Sequence, residues 1–362
     1  MGKTISIELL KEEDIVEINR LFNLHNKANR TREQFEWEFL YAPAGKSIYT
    51  VARDVDTKKI VGIQCAVPFY LRNNKGEMIL TAKSEDTLVD PEYRGLNIFE
   101  NMYDKLFEEC TKAGINYIWG FTYAKKPFIR IGFSIPYNAI QGLASTNIFR
   151  TYNYLKSLNP KNKAKDKFKI FGLSVLSFFN SIQKSFIGSS HDGYKIVKEN
   201  RNELNSLLSD FTKENENYYF LSEDKEYMNW RLDKNPYQNK LIQFSLIDNN
   251  NNKTIGSIIF DINDKGIGYI SQIVFHSEIS LETKKKFLNY GIKEIKKSEV
   301  FIIRYWGFEI NEINKDEINL LKSVGFTFIN RGISFVWKNQ LSQDPIKPEN
   351  LILSRMFSQG NI

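Results

Sequence analysis

Ser84-Glu85-Asp86-Thr87-Leu88-Val89-Asp90-Pro91-Glu92-Tyr93-Arg94-Gly95-Leu96-Asn97-Ile98-Phe99 is the stretch that decides how this chain folds. A strand ends at Asp90-Pro91, a tight turn holding Arg94-Gly95 follows, and a helix begins near Asn97. The first amides of a helix have no intrahelical partner and sit at the positive end of its dipole, so this turn is a ready cradle for an anion. Arg94 adds a charge, and Gly95 lets the backbone approach a ligand closely.

Upstream, residues 47–54, 60–71 and 78–89 read as consecutive strands, with Asn73-Asn74-Lys75-Gly76 as the turn joining the last two. Before them, Thr4 to Leu9 alternates like a first strand, and residues 11–23 carry Ile15, Ile18, Leu21 and Phe22 at helical spacing. Downstream, residues 97–113 form a long helix with Ile98, Met102, Leu106 and Cys110 on one face and Gly114 as its stop. A strand over 115–122 and a short helix ending at Gly132-Phe133 complete the pattern.

That pattern occurs twice. Trp37 is followed six residues later by Pro43, and Trp230 six residues later by Pro236. Gly62 then corresponds to Gly256, Trp119-Gly120-Phe121 to Trp306-Gly307-Phe308, and Gly132-Phe133 to Gly325-Phe326. Four landmarks in one order mark an internal repeat. Each copy reads as strand, two helices, three strands, long helix, strand, short helix and final strand. The expected fold is therefore α/β with a mixed sheet, in two tandem domains at 1–150 and 191–340. An apolar, Lys-flanked linker helix lies within 151–190, and a tail occupies 341–362.

At residues 84–99 the chain resembles the GCN5-related N-acetyltransferase (GNAT) superfamily, whose fourth strand ends in a Val-x-Pro-x-x-Arg-Gly turn followed by a pyrophosphate loop and a long helix. The resemblance implies an acyl-CoA cosubstrate, acetyl-CoA or another, bound by Leu88, Val89, Arg94, Gly95, Leu96, Asn97, Ile98 and Phe99. It also implies a backbone amide near Leu88 or Val89 polarising the thioester carbonyl. Two residues depart from the family loop: Asn97 replaces a glycine and Phe99 a small residue. Asn tolerates left-handed backbone and caps helices, whereas Phe99 either crowds the pyrophosphate or turns into the core. Glu85, four residues before Val89, matches the strand glutamate that serves relatives as general base, and strand alternation points its neighbour Asp86 to the opposite face. The tyrosine that relatives use as acid is Phe128 here, which leaves Tyr123 as the substitute. The second copy, through Ser271 to Glu278, has no Arg-Gly turn and is expected to have lost cofactor binding.

Composition narrows the alternatives. Hydrophobic residues make up 42% of the 362 residues, enough for two cores. The net charge of +7 favours anionic ligands, but the Lys and Arg residues are interspersed with 43 acidic ones and no basic helix occurs, so nucleic acid is not an expected partner. Cys65 and Cys110 lie in apolar stretches as reduced thiols, and His25, His191 and His276 are scattered, so no metal is expected. With no apolar leader at its start, the chain is expected in the cytoplasm.

The activity this implies is N-acylation of a small-molecule amine, an amino sugar or nucleotide-sugar among them. Two rivals stand beside it: an aminoacyl-tRNA-dependent transferase similar to the peptidoglycan enzymes, and a noncatalytic binding or membrane-peripheral module. Residues 168–187 are too polar to span a bilayer. They read as an interdomain helix packed across both halves or, more sharply, as an amphipathic helix on an anionic membrane. The tail around Leu353 to Phe357 is expected to dock back on the cleft. Oligomeric state is not legible.

Overall fold

Short polar side chains start the helices. Thr31, Asn147, Asp224, Ser280 and Asn311 each accept a hydrogen bond from the amide three residues on, and Thr31 completes a capping box with Gln34. The structure, a computed structural model, describes residues 3–158, 163–183, 193–198, 203–237, 239–343 and 345–357. His191 and residues 184–187 at the far end of the expected linker helix lie outside these.

The first copy runs β1 (Ile5–Leu9), α1 (Ile15–Asn26), α2 (Arg32–Phe39), β2 (Ile48–Asp54), β3 (Ile60–Arg72), β4 (Met78–Val89), α3 (Ile98–Lys112), β5 (Tyr117–Thr122), α4 (Lys125–Arg130) and β6 (Ser134–Ser145). Helix α1 starts later than its apolar period suggests. Asp14 accepts from the amide of Lys11 and pairs with Arg53 at 2.5 Å, which locks residues 12–14 into a separate turn. Two helices follow, α5 (Ile148–Ser157) and α6 (Ala164–Gln183).

The second copy repeats the order: β7 (Tyr194–Lys198), α7 (Leu204–Glu214), a short β8 (Phe220–Leu221), α8 (Lys225–Met228), β9 (Lys240–Asp248), β10 (Thr254–Ile262), β11 (Ile267–Phe275), α9 (Leu281–Lys296), β12 (Ile302–Gly307), α10 (Glu312–Ser323) and β13 (Thr327–Asn339).

All these strands join one sheet in the order β1-β2-β3-β4-β5-β13-β6-β12-β11-β10-β9-β7, with β8 paired to β3. Among the strand pairs of the described residues, β4 with β5 and β11 with β12 are parallel and the rest antiparallel. The final strands are exchanged. β13 pairs with β5, β6 pairs with β12, and the two pair with each other along Thr327↔Leu143 to Trp337↔Ser134. Each copy thus lends its last strand to the other, so two edges that would otherwise be open become the middle of a continuous ladder. Division of the chain by residue number is therefore not a division of the sheet.

On one face, α3, α4 and the turn after it bury Tyr103, Leu106, Cys110, Phe128 and Phe133 against Ala66, Ala82 and Ile118. On the other, a core shared by both copies gathers Phe35, Trp37, Trp119, Tyr227, Trp230 and Trp306. The tail enters this shared core. Met356 and Phe357 are buried, the Tyr227 hydroxyl donates to the Met356 carbonyl at 2.6 Å, and Phe357 meets Trp119 edge-on at 5.2 Å. Both cysteines are free and buried, and burial pushes the Cys110 thiol up to about 12.

Candidate active site

The site begins where the parallel pair comes apart. β4 and β5 are in register from Thr81↔Tyr117 to Ser84↔Gly120 and no further. Beyond Ser84, β4 stays on β3, and a bulge falls between its Cys65↔Glu85 and Ile63↔Leu88 pairs, with Asp86 in left-handed backbone at φ 56°. A bulge bends the strand and leaves its extra residue unpaired. The result is a wedge open toward β5. Asp90 N–H donates to Val61 at 2.8 Å, so by strand alternation the Leu88 amide also faces β3, and the amide of Val89 faces the wedge. Of the two candidate donors to a thioester carbonyl, Val89 is the one so aimed.

Above the wedge stands the start of α3. Its N-cap, Asn97, has φ 55° and makes no side-chain cap hydrogen bond, so the amides of the first turn stay uncovered. Gly95 has φ 87°, and a Cβ there would meet nothing within 4 Å, which leaves backbone conformation as the reason for glycine. The turn is fixed from below. Asp90 accepts from the amide of Glu92, and the buried Tyr93 donates to Asp54 at 2.8 Å. Gly62 on β3 gives α3 its close seat, because a Cβ would lie 3.0 Å from Ile98 and 3.1 Å from Met102.

Together these elements enclose a cavity of about 780 Å³ lined by Glu85, Leu88, Val89, Arg94, Gly95, Asn97, Ile98, Phe99 and Tyr123. Leu96 is the expected site residue that does not line it, being 41% exposed at the outside of the turn. Phe99 turns toward the core, with its ring 4.8 Å from Tyr103 and edge-on to Phe128 at 5.7 Å. Tyr123 is 64% exposed on the rim. Arg94 is exposed at the same rim, and Arg130 of α4 pairs with Glu100 at 2.5 Å.

Asp86 does not obey the alternation expected of it. The extra residue of the bulge resets the phase, so Glu85 and Asp86 both line the cavity. Their environments differ. Asp86 is tied up, accepting from Arg30 at 2.9 Å and from Tyr49 at 2.5 Å, while burial lifts its carboxyl above its ordinary range against the pull of Arg30. Glu85 forms an ion pair with the buried Lys83 and keeps 28% of its side chain exposed.

Sequence reasoning missed a third carboxyl. Glu38 of α2 is 6% exposed and is pushed up to about 7, first by burial and then by the charges of Glu85 and Asp86, with Arg30 opposing. Tyr237, from the second copy, donates to it at 3.3 Å. Its position beside Trp37 in the repeat was the available signal. Among the described residues, no group of three or more His, Cys, Asp or Glu is placed to hold a metal ion.

The second copy differs at the corresponding place. Helix α9 is capped by Ser280, whose hydroxyl accepts from the Thr283 amide at 3.1 Å, so its first turn covers its own donors. The strand before it leads into His276, which pairs with Glu214 at 2.9 Å, with no Arg-Gly turn.

One mixed sheet built from two tandem copies, each with a parallel strand pair that leads toward a helix start, is the architecture to be compared with known structures. Residues 6–135 match the family model for the acetyltransferase (GNAT) domain, and the chain as a whole has the fold of tandem GNAT structures. Among solved structures, a tandem GNAT protein from the clavulanic acid biosynthesis pathway has TM-score 0.60 at 13% identity, covering 94% of this chain and 100% of that one. A GCN5-related N-acetyltransferase from Anabaena variabilis has TM-score 0.61 at 13% identity, covering 93% and 73%. Saccharomyces cerevisiae N-myristoyltransferase with bound myristoyl-CoA has TM-score 0.61 at 13% identity, covering 99% and 84%. No curated protein matches the chain.

Proposed function

We propose that this chain is an acyl-CoA-dependent N-acyltransferase, with acetyl-CoA as the donor and a primary amine, an amino sugar or nucleotide-sugar, as acceptor. The observation that carries the reading is the uncapped start of α3 standing over the β4/β5 wedge. The amides at 98–100 and Arg94 hold the donor's diphosphate, and the edge of β4 at Leu88 and Val89 receives its extended arm as an added strand would be received. The Val89 amide donates to the thioester carbonyl oxygen and stabilises the charge that develops there. This first unit binds the donor, and the second unit walls the acceptor cleft, to which β13 already contributes Ile333.

The amine nitrogen attacks the carbonyl carbon, the C–S bond breaks, and an amide forms. Glu85 takes the proton the nitrogen loses, and Tyr123 supplies one to the departing thiolate. Lys83 fixes the Glu85 carboxylate from its buried side. Incubation with acetyl-CoA and a panel of amino sugars, with release of free CoA thiol followed over time, tests the reading. Amine-dependent release is expected. Transfer from an aminoacyl-tRNA with no release from any CoA thioester would replace this function with the tRNA-dependent one.

A further inference from the structure

Helix α6 is built inside out. Its protein-facing side is a row of serines: Ser174 and Ser177 are fully buried and Ser181 is 3% exposed. These contacts are polar. The Ser177 hydroxyl donates to the Leu143 carbonyl at 2.9 Å and accepts from the Ser145 amide at 3.1 Å, Lys296 donates to Ser181 at 2.7 Å, and Asn180 donates to Thr327 at 3.0 Å. The apolar side faces out, with Phe168 at 81%, Leu176 at 52% and Phe179 at 54% exposure, and Phe171 and Ile182 above 40%. At helical rise, Phe168 to Ile182 is a row about 21 Å long. The helix lies across strands of both copies, β6 through Leu143 and Ser145 and β13 through Thr327, and the serines, with Ile170 and Leu173 beside them, let it lie close there while its larger apolar residues stay outside.

The neighbouring α5 extends the surface with Phe149 at 71% exposure and touches α6 through Tyr152 and Phe171, whose rings meet edge-on at 5.8 Å. Charge says what covers it. Lys163, Lys165, Lys167 and Lys169 are all exposed at the start of α6, and Asp166 is the single carboxylate across both helices. A second copy would set these lysines against their like. An anionic surface with an apolar interior answers both features, since phenylalanines sink into the acyl boundary while lysines reach back to headgroups. Among the described residues no helix is long and apolar enough to cross a membrane, so the contact is in the plane of the surface.

We propose that α5 and α6 dock this chain on an anionic lipid bilayer. Co-sedimentation of the full chain with phosphatidylcholine vesicles, with and without phosphatidylserine, tests this. Binding to the phosphatidylserine vesicles is expected, weakening as salt is raised. The Phe168→Ser/Phe179→Ser double variant, altered only at exposed positions, should keep its melting temperature and bind about tenfold more weakly. Three results would overturn the proposal: no binding to anionic vesicles, undiminished binding by the double variant, or a lipid-free dimer that the same variant converts to monomer, which would assign the face to a second copy.

Discussion

Trp37 and Trp230 stack at 4.7 Å with ring planes 20° apart, and each indole N–H donates to the other's backbone carbonyl at 3.0 Å. The two residues are the same position of the repeat, 193 residues apart. Their reciprocal bonds mark the axis that relates the copies, and the exchanged β6 and β13 lie on either side of it. Removing both indoles should therefore cost less than the sum of the single losses. A cycle of Trp37→Ala, Trp230→Ala and the double variant, read by urea denaturation, is expected to give a coupling of about 1–3 kcal/mol. A single unfolding transition is expected throughout, since neither copy owns a complete sheet.

Charge at the helix start should govern donor affinity while leaving chemistry elsewhere. Arg94→Ala is expected to reduce the melting shift given by acetyl-CoA, with affinity falling by about tenfold or more for one lost charge-assisted contact. Glu85→Gln should keep the melting shift and lower turnover by about 10²–10⁴-fold, the usual contribution of a general base. Stopped activity with intact binding separates the two roles.

Asn97 bears on the departure from the family loop. Its left-handed backbone at φ 55° suits Asn or Gly and strains a β-branched residue. Asn97→Gly should preserve donor binding. Asn97→Val should cost about 1–2 kcal/mol of stability and weaken donor binding, as read by thermal melting with and without acetyl-CoA.

Glu38 gives the site a pH dependence whose sign follows from its raised pKa. Between the ordinary value of 4.5 and about 7, the folded chain holds a proton that the unfolded chain has released. Stability from this group is therefore greatest below pH 4.5 and declines through that window to a minimum above about 7. Glu38→Gln should raise stability at pH 8 by on the order of 2–3 kcal/mol and change it little at pH 4, measured by denaturation at both values.

Much of this was legible because local chemistry decided it. The Asp90-Pro91 strand end, the Arg94-Gly95 turn and the start of α3 follow from residues adjacent in sequence, and the order of elements in both copies follows from period and punctuation. The repeat was visible because tryptophan and glycine at fixed intervals are seldom interchangeable. What escaped depended on distant partners. Strand exchange leaves no mark in β6 or β13, since either would look the same paired to its own copy. The bulge at Asp86 and the burial of Glu38 beside Tyr237 arise from residues far apart in the chain. Helix α6 left two readings open for a physical reason: apolar residues stand all round it, and which of them face inward was decided by three serines that settle against β6.

Titration calorimetry of the wild-type chain and of Arg94→Ala with acetyl-CoA, and with S-acetylpantetheine, which lacks the diphosphate and the adenosine 3′-phosphate beyond it, tests the central claim most directly. The account predicts measurable heat with acetyl-CoA and affinity about a hundredfold weaker for the truncated thioester, a difference that Arg94→Ala narrows to about tenfold because the α3 amides remain. Equal affinity for the two ligands, or no heat with any CoA thioester, would contradict it.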